Sequence, residues 1–160
     1  MLYHGSKTLI EGYLEPHVCY ELKNWVYATD DYLYALIRCG NFDVTKFLIR
    51  EDYDDNKYSL AEIVPGAFKY VFDRPGYIYV VENTYFTYNH YTEYVSEKPV
   101  PIVRRININN VWNELQKHKD IIEFITYENS DEYWKNVKGG REGYLERKRK
   151  AISKMGLSES

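Results

Sequence analysis

The chain has 160 residues, of which 44% are hydrophobic and 28% charged, and its formal net charge at pH 7 is −3. This length fits one domain and leaves no room for a second catalytic domain, and the composition excludes long disorder. No apolar run approaches the roughly 18 residues of a membrane span, and the N-terminus lacks the basic start and apolar stretch of a signal peptide. We therefore expect a cytoplasmic protein with no membrane contact.

Cysteine and tyrosine usage narrows the possible chemistry. Cys19 and Cys39 are too few for a disulfide framework and lack the spacing of zinc ligands, so we expect reduced thiols and no metal. The 18 tyrosines favour strands and offer flat stacking faces with a polar tip. This usage indicates β-rich structure and is compatible with a stacking site.

The first forty residues predict two strands and a helix. Residues 1–6 predict a strand that ends in a tight turn, and residues 25–28 predict a second strand. Residues 29–31 suit a helix N-cap, and apolar residues follow them at helical spacing. We expect a helix over residues 30–39 that ends at Gly40.

The middle of the chain predicts further strands. Residues 47–49 are a short strand candidate. The acidic run at 51–55 is interpreted as a solvated loop, because it lacks the glycine and the ligand order of a calcium loop. Residues 68–72 and 77–81 predict a hairpin around the turn sequence at 73–76.

The last third of the chain predicts strands and then helices. Residues 91–95 and 100–108 continue the strand pattern. Apolar residues spaced over 110–125 predict a helix, and a last helix is predicted after Gly139-Gly140. The order of strands followed by helices is typical of an α+β protein.

Three short segments carry the most distinctive residues: YHGSK at 3–7, VYATD at 26–30 and YTEYV at 91–95. In order, in flanking residues and in predicted secondary structure they resemble the signature elements of ADP-ribosyltransferases of the His-Tyr-Glu type. That group contains diphtheria toxin and the poly(ADP-ribose) polymerases. Each motif alone recurs by chance, whereas three in order on suitable elements form a stronger signal. The resemblance covers residues 3 to 103.

The resemblance implies a fold. It is an ADP-ribosyltransferase-like core, a split antiparallel or mixed β-sheet with flanking helices and a helical C-terminus, in agreement with the α+β order of the elements. We expect one such domain over residues 1–160, with the core at about 1–108 and a helical extension over 109–160.

The resemblance also implies an NAD site with a role for each motif. Breaking the nicotinamide–ribose bond creates an oxocarbenium-like ribose, which the Glu93 carboxylate would stabilise while binding a ribose hydroxyl. Tyr27 would stack on the cationic nicotinamide ring, and His4 would hydrogen-bond the adenosine-side ribose. Glu93, His4 and Tyr27 are thus the expected catalytic residues, and NAD is the expected co-substrate.

Four further residues complete the expected cofactor site. Gly5 would present its backbone to the nicotinamide amide, with Ser6 as a supporting hydroxyl and Ala28 beside Tyr27. Arg38 stands where related enzymes carry a second aromatic residue. A guanidinium plane can stack, but it repels a cationic ring.

Each of these residues also has a purely structural interpretation. His4 suits a hydrogen-bond partner at a strand end, Tyr27 suits core packing and Glu93 suits an exposed strand. Arg38 and the lack of a basic contact between the first two motifs support a second hypothesis, a degenerate ADP-ribosyltransferase-like fold that binds a nucleotide, nucleic acid or protein. A related phosphotransferase acting on RNA 2′-phosphates is a third, but the basic and histidine residues it needs are not found in the sequence.

Three features bear on the partner. Arginine-modifying members carry Glu or Gln two residues before the catalytic glutamate, where this chain has Tyr91, so an arginine acceptor is disfavoured. The aromatic and amide residues at 83–90 suit a nucleobase, a protein surface or packing on the sheet. Residues 135–154 hold eight Lys or Arg and two Glu, a net charge of +6, which suits an anionic partner or a solvated helix face. The first hypothesis is a mono-ADP-ribosyltransferase with an unknown protein or nucleic-acid acceptor.

Overall fold

The computed structural model describes residues 1–18, 22–41, 48–54, 57–135 and 140–155. Over these residues the protein combines mostly antiparallel strands with short helices, which confirms the predicted α+β class. No helix in these ranges has both the length and the apolar character needed to cross a membrane.

Runs of strands are separated by short helices, and two helices close the described chain. The strands are β1 (Leu2–Ser6), β2 (Tyr13–Leu14), β3 (His17–Val18), β4 (Asn24–Thr29), β5 (Ile49–Asp54), β6 (Lys57–Glu62), β7 (Gly76–Val81), β8 (Thr87–His90), β9 (Glu93–Ser96), β10 (Val100–Pro101), β11 (Arg104–Ile108) and β12 (Ile122–Ile125). The helices are α1 (Tyr32–Ile37), α2 (Ala67–Phe72), α3 (Val111–Gln116), α4 (Ser130–Lys135) and α5 (Gly140–Met155), with 3₁₀ turns at Asn83–Tyr85 and Tyr127–Asn129.

The chain forms two compact units, and each is built from two separate segments. The first unit contains residues 1–40 and 74–111, and the second contains residues 41–73 and 112–160. The predicted single domain, with its boundary near residue 108, stays a prediction.

The first unit is built on an antiparallel sheet with the strand order β11-β7-β1-β4-β9-β8, and β3 also pairs with β4. Apolar side chains alternate along these strands, so one face of the sheet carries a core. The buried members of this core are Leu2, Leu14, Val26, Ala28, Tyr79, Val81 and Val100. The Tyr79 hydroxyl donates to the Thr8 carbonyl oxygen at 2.7 Å and accepts from the Ile10 amide at 2.6 Å, which holds the segment after β1 in place.

Helix α1 packs against Gly5 on the other face of this sheet. A Cβ atom at Gly5 would lie 1.8 Å from the Ala35 carbonyl oxygen, so only glycine allows the helix to approach the strand this closely. The Asp31 carboxylate accepts hydrogen bonds from the amides of Leu33 at 2.9 Å and Tyr34 at 3.4 Å. The predicted helix is confirmed, but with Asp31 as its N-cap it begins at Tyr32 and ends at Ile37, two residues inside the predicted bounds at each end.

Cys39 lies just after α1 and is a buried free thiol, whereas Cys19 falls outside the described residues. Burial raises the pKa of the Cys39 thiol to about 12. The thiol therefore stays protonated at neutral pH and is a poor nucleophile.

The second unit contains a three-stranded sheet in which β6 pairs with β5 antiparallel and with β12 parallel. Its core includes stacked and edge-on aromatic rings, with Trp112 5.3 Å from Phe68 and 5.1 Å from Phe124 between ring centroids. The buried Glu62 carboxylate accepts hydrogen bonds from the amides of Phe68 at 3.0 Å and Tyr127 at 3.1 Å. A buried carboxylate thus satisfies the backbone donors that begin α2 and the second 3₁₀ turn.

Several predicted elements are wrong in the second unit. Residues 68–72, predicted as a strand, belong to helix α2, because the buried residues Phe68, Val71 and Phe72 follow a helical period. The acidic residues 51–54, predicted as a loop, lie in β5, where β6 supplies backbone partners. The helix predicted over 110–125 ends at Gln116, and residues 122–125 form β12.

Other strand predictions need smaller changes. The strand predicted at 100–108 is two strands, because β10 pairs with β2 and β11 with β7. The strand predicted at 91–95 begins at Glu93, since Tyr91 adopts a positive φ of 52° in the preceding turn. The strands predicted at 25–28 and 77–81 and the last helix are confirmed. Phe47, Asp55 and Gly139 lie outside the described residues.

Candidate functional site

The three sequence motifs lie on neighbouring strands of the first unit. β1, β4 and β9 are consecutive in the sheet, although about 60 residues separate the second and third motifs in the chain. Tyr3 of β1 pairs with Thr29 of β4, and Thr29 pairs with Glu93 of β9. The fold therefore brings the histidine, tyrosine and glutamate motifs into one row across the sheet.

Tyr27 and Glu93 lie on the same face of this sheet. Thr29 is opposite Glu93, and Tyr27 is two residues away on β4, so both side chains leave the sheet on the side of α1. Strand geometry puts the two Cα atoms roughly 8 Å apart. The half-buried Tyr27 ring meets Trp25 edge-on, with ring centroids 5.9 Å apart.

His4 leaves the sheet on the opposite face. It pairs with Tyr79 of the core, and the ring centroids of the two residues are 6.3 Å apart. Its Nδ1 nevertheless lies 2.6 Å from the Tyr27 carbonyl oxygen. A carbonyl can only accept a hydrogen bond, so Nδ1–H is the donor. The imidazole takes the place of the β1 backbone amide that would bond to this carbonyl if the ladder between β1 and β4 were continuous.

The tautomer of His4 follows from this contact. Burial lowers the pKa of His4 below its ordinary value of about 6.5, although the hydrogen bond to Tyr27 opposes the shift. At neutral pH the ring is therefore uncharged, with its proton on Nδ1 and a lone pair on Nε2. That lone pair can accept a hydrogen bond from a hydroxyl.

The lowered pKa of His4 predicts a pH-dependent stability. In the unfolded chain His4 binds a proton near pH 6.5, whereas in the folded protein it does so only at lower pH. The free energy of unfolding that neutral His4 contributes is therefore fully present above pH 6.5 and is lost as the pH falls through the folded-state pKa. We expect the difference in unfolding free energy between wild type and His4→Gln to shrink between pH 7.5 and 5, as measured by urea denaturation. A difference that stays constant over this range would contradict the assignment.

The Glu93 carboxylate is held by the residues just before it. Asn89 donates its Nδ2–H to Glu93 Oε1 at 2.9 Å, and His90 Nδ1 lies 3.5 Å from the same oxygen. The Glu93 side chain is 13% exposed, so it is largely shielded yet reachable. Neither partner was predicted from the sequence, because both contacts depend on the bulged pairing of β8 with β9.

The other predicted site residues have different surroundings. Gly5 lies beneath α1, and the Ser6 hydroxyl accepts from the Thr8 amide at 3.0 Å. Ala28 is buried in the sheet core, on the face away from Tyr27. Arg38 forms the C-cap of α1, where its guanidinium lies 5.2 Å from the ring centroid of Tyr34. The fold thus places the Arg38 Cβ near Gly5 and the guanidinium over the Tyr34 ring.

The segment at 83–90 is a 3₁₀ turn followed by β8, the edge strand next to β9. Tyr88 and Tyr91 flank the Glu93 partners and are 61% and 88% exposed. Tyr88 meets Tyr94 edge-on with ring centroids 5.5 Å apart. Tyr94 and its cross-strand partner Tyr88 leave the sheet on the face opposite Glu93, so these two rings lie behind the candidate site.

The basic segment of the second unit is partly neutralised by its own neighbours. Glu146 of α5 pairs with Arg149 at 2.6 Å and with Lys150 at 3.8 Å, and Lys148 donates to the Tyr127 hydroxyl at 2.6 Å. These contacts favour the solvated-face interpretation of α5, and an anionic partner stays a prediction.

No protein-family model, curated protein or solved structure matches the chain, so the site is interpreted from its own geometry.

Proposed function

We propose that the protein is a mono-ADP-ribosyltransferase of the His-Tyr-Glu type that uses NAD as co-substrate. The observation that carries this proposal is the strand order β1-β4-β9. Motifs that match by chance have no reason to meet, whereas these lie on three consecutive strands with Tyr3, Thr29 and Glu93 in one row. The interrupted ladder between β1 and β4 is also in keeping with a split sheet.

In this proposal Glu93, Tyr27 and His4 each have a separate role. Glu93 Oε1 is occupied by Asn89, which leaves Oε2 to bind a ribose hydroxyl and to face the cation that forms when nicotinamide leaves. Tyr27 offers its ring on the same face to the nicotinamide. His4 approaches from the other face at the seam between β1 and β4, where Nδ1 holds the Tyr27 carbonyl and Nε2 is available to the adenosine-side ribose.

A degenerate binding module of the same fold is the second candidate, and Arg38 favours it. Its guanidinium is always charged, and its Cβ lies 3.2 Å from where a Gly5 Cβ would stand. A positive charge on the residue where the resemblance expects a second aromatic ring would weaken the binding of a cationic nicotinamide. This arrangement suits an uncharged or anionic ligand at that end of the site.

Calorimetric titration with NAD and with nicotinamide tests the proposal. We expect wild type to bind NAD and Tyr27→Ala to bind it about 10- to 100-fold more weakly, because the stacking and cation–π attraction are lost. Tyr13→Ala is the matched control, since Tyr13 is an exposed tyrosine of β2 in the same unit. Circular dichroism establishes that the variants are folded. A wild type that binds no NAD would favour the binding module instead.

A further inference from the structure

A bulge in β8 brings the Asn89 side chain to the face of the sheet that carries Glu93. His90 pairs with Glu93, and in a regular ladder Asn89 would therefore pair with Tyr94 and leave the sheet on the opposite face. Tyr88 pairs with Tyr94 instead, so Asn89 is the extra residue of the bulge. Bulges of this kind redirect a side chain, and they are frequent beside active sites.

The redirected Asn89 side chain holds the Glu93 carboxylate. Its Nδ2–H donates to Glu93 Oε1 at 2.9 Å, and a hydrogen bond to a charged carboxylate is stronger than one between neutral groups. A glutamate side chain has several rotatable bonds and much rotamer freedom to lose when it is fixed. Among the described residues, no other side chain donates a hydrogen bond to Glu93. The orientation of the Glu93 carboxylate therefore depends on Asn89.

His90 does not take over this role. The Asn89 amide nitrogen lies 3.4 Å from His90 Nδ1, and an amide nitrogen can only donate, so Nδ1 accepts and the ring proton is on Nε2. His90 Nδ1 and Glu93 Oε1, which are 3.5 Å apart, are then both acceptors. Asn89 supplies the donor that both of them require.

The backbone that carries Asn89 is itself constrained. Tyr91 and Thr92 connect β8 to β9, and Tyr91 has a φ of 52°, in the left-handed region that a bulky residue rarely adopts. Strained residues of this kind persist only where the surrounding structure holds them, and they cluster at functional sites. The short turn and the bulge together fix the distance between Asn89 and Glu93.

We propose that Asn89 is a positioning residue of the transferase, which holds Glu93 with Oε2 toward the ribosyl cation. This inference rests on the proposed function. Oε1 is occupied by the Asn89 amide, so the substrate meets Oε2 in one fixed orientation. Asn89 contacts the carboxylate and not the reacting atoms. Its removal should therefore slow nicotinamide release without weakening NAD binding.

The test measures nicotinamide release from NAD by chromatography and NAD affinity by calorimetry. We expect kcat to fall about 10- to 100-fold in Asn89→Ala, while the Kd for NAD stays within about twofold of wild type. Asn89→Asp keeps the shape of the side chain but places an acceptor and a like charge against Glu93, so its kcat should fall at least as far. Asn24→Ala is the matched control, because Asn24 is an exposed asparagine at the start of β4 in the same sheet.

A double-mutant cycle establishes whether Asn89 acts through Glu93. When Asn89→Ala is added to Glu93→Gln, nicotinamide release should stay within about twofold of the rate of Glu93→Gln alone, because the charge that Asn89 positions is already lost. A purely structural role of Asn89 would lower the rate by the same factor in both backgrounds. Urea denaturation establishes that all the variants are folded.

The outcomes separate this inference from the function on which it rests. A wild-type kcat for Asn89→Ala or Asn89→Asp, or equal losses in the two backgrounds of the cycle, would overturn the positioning role. A loss confined to NAD affinity would also overturn it, since Asn89 would then be a ligand contact. A wild type that binds no NAD, or binds it and releases no nicotinamide, would overturn the proposed function and the role of Asn89 with it.

Discussion

Replacing Gly5 with alanine is expected to lower the free energy of unfolding by about 3 kcal/mol or more. The added Cβ would stand 1.8 Å from the carbonyl oxygen and 2.8 Å from the carbonyl carbon of Ala35. These are backbone atoms of α1, so no side-chain rotation relieves the clash, and the helix must move away from β1. A loss of this size is a large share of the roughly 5–15 kcal/mol that stabilises a domain. Urea denaturation followed by circular dichroism measures it.

Alanine substitutions at two other glycines provide a comparison for the stability loss expected of Gly5→Ala. A Cβ at Gly76 would lie 2.7 Å from Cys39 Cβ and 2.9 Å from a Val111 methyl, so Gly76→Ala should cost less, because side chains can adjust. Gly143 of α5 has no atom within 4 Å of such a Cβ, and alanine there should stabilise the helix by roughly 0.5–1 kcal/mol. If Gly5→Ala were as stable as wild type, the close packing of α1 on β1 would be contradicted.

The close packing of α1 on Gly5 also affects how the His4-Gly5 pair is interpreted. The sequence interpretation gave Gly5 a role in presenting backbone to nicotinamide, whereas the packing of α1 is sufficient reason for a glycine at this position. The two reasons are compatible. The His-Gly pair is therefore weaker evidence for an NAD site than the placement of Tyr27 and Glu93.

Local sequence signals predicted the parts of the fold that depend on neighbouring residues. The capping and acidic residues at 29–31 and the apolar spacing after them predicted α1 to within two residues at each end, and the run at 77–81 predicted β7. The strand prediction for residues 68–72 was wrong because four apolar or aromatic residues around Lys69 suit a strand or a helix. The buried residues follow a helical spacing, which decides for the helix. The four residues of β12 depend on a parallel partner, β6, that lies about 60 residues earlier.

In the candidate site, too, only the features that depend on neighbouring residues could be predicted. The residue types of His4, Tyr27 and Glu93 could be recognised from short motifs, but their strand order depends on pairings between distant segments. The alternation of strands, which puts His4 on the face opposite Tyr27, becomes visible only when the register is known. The bulge at Asn89 has no signature in residue type, so the partners of Glu93 were missed.

Replacing Glu93 with glutamine is expected to reduce nicotinamide release from NAD by about 100- to 1,000-fold. Glutamine keeps the size and an oxygen that Asn89 can still hydrogen-bond, but it removes the negative charge that stabilises the ribosyl cation. NAD affinity and unfolding free energy should change little, because the charge acts mainly in the transition state. Chromatographic assay of nicotinamide, with calorimetry for NAD affinity, measures both quantities.

Glu97→Gln is the matched control for this experiment, since Glu97 is an exposed carboxylate directly after β9. It removes the same charge from the same hairpin, so a general electrostatic effect on NAD would appear in both variants. A loss of turnover confined to Glu93→Gln assigns the effect to the position in the row with Thr29 and Tyr3. If wild type binds NAD but releases no nicotinamide, and Glu93→Gln binds it equally well, the carboxylate is not used for catalysis. The sheet would then bind NAD without cleaving it, which is the behaviour expected of the degenerate binding module.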